Sequence, residues 1–86
     1  MSGTARIAIP VYVESLDEGG YLAICDRIQG CHAEGETIAE AIENIEDVAR
    51  VLLELQREHD LPADAIFEGA DVDTVFEAEL IAGPAS

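Results

Sequence analysis

A Thr-x-x-Glu box at Thr37–Glu40 opens a run that neither Gly nor Pro interrupts until Leu61-Pro62. A threonine at that position accepts from the backbone N–H three residues on, and the glutamate reaches back to the N–H of Thr37. Behind it Ile38, Ala41, Ile42, Ile45, Val48, Ala49 and Leu52 recur at steps of three and four, the spacing of one helix face. The residue before a proline is steered away from α, so the helix ends before Pro62. The expectation is a helix from Ile38 to about His59, about 22 residues and roughly 33 Å long. Its apolar positions cover an arc of roughly 200°, where one sheet face needs about 100°. The surplus lies at Val48, Val51 and Leu55. Either the C-terminal segment or a second subunit is expected to cover them.

The rest of the chain supplies strands. Ile7, Ile9, Val11 and Val13 alternate with Ala8, Pro10, Tyr12 and Glu14, a period of two. Pro10 has no N–H for a ladder and belongs at an unpaired or edge position. Asp17-Glu18-Gly19-Gly20 is a turn signal, so Tyr21–Asp26 returns as the second arm of a hairpin. A third strand spans Cys31–Glu36, with Cys31, Ala33 and Gly35 on one face and His32, Glu34 and Glu36 on the other. Residues Leu61–Asp73 read as loop, with a helical turn at Ala63–Phe67, and Val75–Ala82 alternates again. The fold class is α+β, in the order β-β-β-α-β, with one mostly antiparallel sheet and the long helix on one face. The chain is a single domain, and its ends, Met1–Thr4 and Gly83–Ser86, are expected to be loose. One helix covers one sheet face, which leaves apolar groups such as Tyr12 on the other. Four strands do not close a barrel, so an edge stays open. Homo-oligomerisation follows as an expectation.

Charge narrows the partners. Four arginines and no lysine stand against 19 carboxylates, a net charge of −15. That field repels the phosphate backbone, so no direct nucleic-acid contact is expected. Three sources of the acidity stay open: a solvated surface, complementarity to a basic protein, and adaptation to a salty cytoplasm. No apolar run approaches a membrane span, and the N-terminus lacks a signal-peptide pattern, so a cytoplasmic protein without a membrane partner is expected.

Catalytic chemistry finds little to work with. Cys25 and Cys31 with His32 offer three metal ligands where a closed site wants four, and alternation parts Cys31 from His32. Buried free thiols are expected, with no cofactor. A nuclease using two metal ions needs converging carboxylates. The first strand has none at its centre, and Glu14, Asp26 and Asp73 fall at strand ends. His59 in the last helical turn suits the helix dipole. Glu40, Glu43, Asp47, Glu54 and Glu58 form a carboxylate band along the helix. It contains like-charged pairs at i,i+4, which Glu46–Arg50 and Glu54–Arg57 partly offset. A solvated face and a docking surface both fit that band.

Gly19-Gly20-Tyr21, Cys25-Asp26, Gly30-Cys31, Gly35-Glu36-Thr37 and Glu40-Ala41-Ile42-Glu43-Asn44-Ile45, taken in order, resemble the HicB family of antitoxins. Ile28-Gln29-Gly30 stands where that family usually has Leu-Pro-Gly. The stretch left after the helix holds one strand, so the resemblance does not extend to a DNA-binding module. It implies a partial ribonuclease-H-like fold without a catalytic set. It also implies a function: binding and masking a small basic HicA-type toxin, an mRNA-cleaving ribonuclease. The residues expected at that interface are Asp17 and Glu18 at the hairpin tip, Glu34 and Glu36 on the third strand, and Glu40 and Glu43 at the helix start. The alternative is an orphan domain of the same fold, homo-oligomeric and without a toxin partner.

Overall fold

The computed structural model describes residues 6–59, 67, 70 and 73–83. The elements follow as β1 (Arg6–Ser15), β2 (Tyr21–Ile24), β3 (His32–Gly35), α1 (Ile38–Glu58) and β4 (Val75–Ala82). The four strands form one sheet in the order β3-β2-β1-β4. The β1–β2 and β2–β3 joints are antiparallel, and β4 returns parallel to β1. The α+β class, the element order and the mostly antiparallel sheet are as the sequence predicts. The second and third strands are shorter than expected. The Cys25 N–H donates to the Cys31 carbonyl and the Cys31 N–H to that of Ile28, which turns both strand ends into a tight connection. The expected chain ends, and the loop at 61–73 with its helical turn, fall outside the described residues except at 67, 70, 73 and 83.

Alternation places the core. Ile9, Val11 and Val13 of β1 are buried with Ala23 of β2 and Phe76 of β4. Ala41, Ile45, Ala49 and Leu53 of α1 close over them. Phe67 meets Phe76 edge-on at 5.5 Å between ring centroids, a favoured aromatic geometry.

Pro10 has a specific place. The Leu16 N–H donates to the Gly20 carbonyl, so the even-numbered residues of β1 turn their backbone groups toward β2. Pairing with β2 begins only at Tyr12, whereas Pro10 stands opposite Glu79 of β4. The missing N–H therefore falls on the side of β1 where no ladder partner exists.

Both open edges of the sheet are engaged by helix side chains. Cys31 turns its carbonyl toward Cys25, so Glu34, three residues on, turns its own outward. The Asn44 side chain donates to that carbonyl at 2.8 Å. On the far edge Ala78 stands opposite Ile9 and its N–H points away from β1. The Glu46 carboxylate accepts it at 2.7 Å. Arg50 donates to the Thr74 carbonyl beside it and lies 5.7 Å over the Phe76 ring. Residues 44 and 46 lie about 200° apart around a helix, so α1 straddles the sheet with one cap on each side.

Candidate functional site

The turn between β1 and β2, the end of β3 and the first turn of α1 meet at one corner of the molecule. Leu16–Gly20 is held by the Leu16 N–H to Gly20 and the Gly19 N–H to the Leu16 carbonyl, both 3.0 Å. Gly19 at φ +100° and Gly20 at φ +87° supply the left-handed backbone. Antiparallel register sets Tyr21 opposite Gly35, so the residues before Tyr21 lie beside those after Gly35. An open cleft of about 600 Å³ results. Leu16, Glu18, Gly19 and Gly20 line it from the turn, Glu34, Gly35 and Glu36 from β3, and Glu40 from α1.

The helix start is drawn tightly against β3. A Cβ on Gly35 would fall on the backbone of Ala41, 2.8 Å from its Cα. Only a glycine lets the strand run that close. Thr37 is the N-cap: its hydroxyl accepts from the Glu40 N–H at 3.0 Å. The return arm of the box differs from expectation. Glu40 Oε1 accepts from the Glu36 N–H at 3.3 Å rather than from Thr37, because the extended cap residue leaves the N–H before it within reach.

Four of the six residues expected at the interface, Glu18, Glu34, Glu36 and Glu40, thus converge on one cleft. Asp17 and Glu43 are exposed but do not line it. Four glutamates open to solvent can receive guanidinium or ammonium groups with charge-assisted hydrogen bonds. Among the described residues no group of three or more His, Cys, Asp or Glu could hold a metal ion.

Of the surplus helical positions, Val48 is half-buried and packs against the core, whereas Val51 is 52% and Leu55 42% exposed. The C-terminal strand does not cover them. It runs on the Glu46 side of α1, while Val48, Val51 and Leu55 follow Asn44 at +4, +7 and +11 on the β3 side. Cys25 and Cys31 are buried, and no disulfide joins them. Burial pushes the Cys25 thiol above its ordinary range, although backbone donors at Arg27 and Ile28 pull the other way. His32 is exposed on the opposite face, and His59 caps the helix through its backbone N–H to the Leu55 carbonyl. No described helix is long and apolar enough to cross a membrane.

Sequence reasoning overlooked the edge caps. Asn44 was legible in part, since asparagine inside a helix is disfavoured unless its amide has a partner. Glu46 and Arg50 read as an i,i+4 pair, yet Glu46 reaches the Ala78 N–H of β4 and Arg50 the Thr74 carbonyl just before that strand. Which side of α1 faces β4 is fixed only by the sheet order.

No family model and no solved structure matches the chain. Two curated relatives do. UPF0150 protein ssr1765 of Synechocystis is 42% identical over 44 residues, which span 51% of this chain and 56% of that protein. UPF0150 protein ssl0738 of the same organism is 37% identical over 66 residues, 73% of this chain and 92% of that protein. With that overlap the chain belongs to the UPF0150 family.

Proposed function

We propose that this protein is a non-catalytic, antitoxin-like binding domain that covers the active surface of a small basic HicA-type ribonuclease. The observation that carries the reading is the cleft at which Glu18, Glu34, Glu36 and Glu40 meet. Glycine-dictated packing and a capped helix end hold it in place. A net charge of −15 speeds encounter with a cationic partner. The family supports the same direction, because UPF0150 is related to the HicB-like antitoxins.

The test is genetic and then physical. A reading frame of roughly 60–90 codons, rich in Lys and Arg, is expected beside this one. Its product alone arrests growth, and co-expression with this protein restores growth and gives a joint gel-filtration peak. Charge reversal at Glu18 and Glu36 abolishes the rescue. If the neighbour arrests growth and this protein leaves the arrest unrelieved, the reading fails.

A second reading, an orphan homo-oligomer, draws on the sheet face turned away from α1. There Pro10, Leu22 and Ile24 are half-buried and Tyr12 is 39% exposed, with no second layer among the described residues. Sedimentation showing a stable oligomer, with no toxic neighbour in the genome, favours it.

A further inference from the structure

The cleft continues into a second surface on α1. On the β3 side of the helix, Val48, Val51 and Leu55 form an apolar strip at steps of three and four, two of its members exposed. Glu40, Asp47, Glu54 and Glu58 are exposed along its solvent border. The helix's two arginines are elsewhere: Arg50 and Arg57 follow Glu46 at +4 and +11, on the β4 side. Glu40 belongs both to this border and to the cleft wall, so the two surfaces are continuous. From Glu40 to Glu58 the face is about 27 Å long. Strand addition is a poor alternative, because Asn44 and Glu46 already occupy outward backbone groups on the two sheet edges.

We propose that the Val48–Val51–Leu55 strip of α1 is a docking surface for an amphipathic helix whose apolar stripe is flanked by Lys or Arg. Charge selects this occupant. A second copy would set one acidic border against another, a repulsion like that of like-charged i,i+4 pairs but repeated along the helix. A basic helix reverses every one of those contacts, and its i, i+3, i+4 and i+7 anchors match the strip's spacing. The inference rests on the reading of the protein as a binder of a basic partner, and it adds that contact runs lengthwise along α1 rather than stopping at the cleft.

The probe is a synthetic Leu/Arg amphipathic peptide of about 18 residues, with a scrambled peptide of equal composition as control. Titrations are followed by fluorescence anisotropy against the intact protein and two variants, Val51→Ser/Leu55→Ser and Glu18→Gln/Glu36→Gln. The patterned peptide is expected to bind about tenfold tighter than the scrambled one. Val51→Ser/Leu55→Ser erases that difference, whereas Glu18→Gln/Glu36→Gln, which removes charge from the cleft, weakens both peptides alike. Both altered positions of the strip variant are exposed, and an unchanged thermal midpoint confirms its fold. Equal binding of the two peptides, or a preference surviving in the strip variant, overturns the proposal. So does an oligomer of the free protein that the strip variant dissolves, which makes the strip a copy–copy interface. Growth rescue of a toxic neighbour that persists in the strip variant overturns the strip as a docking surface and leaves the antitoxin reading standing. Loss of rescue only in the cleft variant does the same.

Discussion

Gly35 shows how much one missing methyl group decides. Its backbone is ordinary for a strand, so the requirement is space rather than conformation: the position of a Cβ is already taken by Ala41 and by the Glu40 carbonyl carbon at 2.8 Å. Gly35→Ala must push β3 off the helix start, and is expected to destabilise the protein by about 2 kcal/mol, within the range for overpacked sites. A urea midpoint lowered without a changed slope checks it. Cys25 supplies a pH-dependent term. Its native pKa is raised by burial, so the unfolded chain gives up this proton first as pH rises. The contribution is intact below the thiol's ordinary value of 9.0 and is lost as pH climbs through the higher native value. Urea midpoints of the intact protein should therefore fall more steeply above about pH 9 than those of Cys25→Ala. An equal slope in both would show that another group titrates there.

At the scale of elements, α1 is more than a lid on the core. A sheet of four strands leaves two edges, each a template for another chain. Here Asn44 closes on the Glu34 carbonyl and Glu46 on the Ala78 N–H. Ala at both positions removes hydrogen bonds that contribute on the order of 1 kcal/mol each, and it also bares strand edges. Asn44→Ala/Glu46→Ala should therefore show concentration-dependent association in sedimentation velocity, together with a modest fall in thermal midpoint. An association state equal to that of the intact protein would refute the capping role. At the remaining edge Leu80 and Ile81 are 48% and 51% exposed, and the register shifts there, from Val11 opposite Leu80 to Tyr12 opposite Ala82. An irregularity of that kind hinders flat pairing.

For the whole molecule, charge is the dominant field. With 19 carboxylates against four arginines, and the Arg6–Glu77 pair at 2.6 Å exposed on both sides, self-repulsion opposes the compact state. Salt screens it, with a Debye length of about 10 Å at 0.1 M. The thermal midpoint should rise from about 10 to about 150 mM NaCl and then level off. A midpoint still climbing into molar salt would instead mark adaptation to a saline interior.

Period-two alternation in β1 and β4, the Asp-Glu-Gly-Gly turn and the Thr37 cap are local properties. Backbone sterics and near-neighbour hydrogen bonds fix them, and they specified the β-β-β-α-β order, the inward faces and the acidic residues of the corner. The surplus at Val51 and Leu55 was also written in the helix period. The β1–β2 hairpin was legible too; what sequence could not supply was where β3 and β4 join the sheet. Only the β3-β2-β1-β4 order gathers Glu18 beside Glu34, Glu36 and Glu40 while leaving Asp17 and Glu43 outside, and carries Glu46 to the Ala78 N–H and Arg50 to the Thr74 carbonyl. The two contacts made by Glu46 and Arg50 join residues 32 and 24 positions apart, and they exist only once the sheet has closed the loops between them.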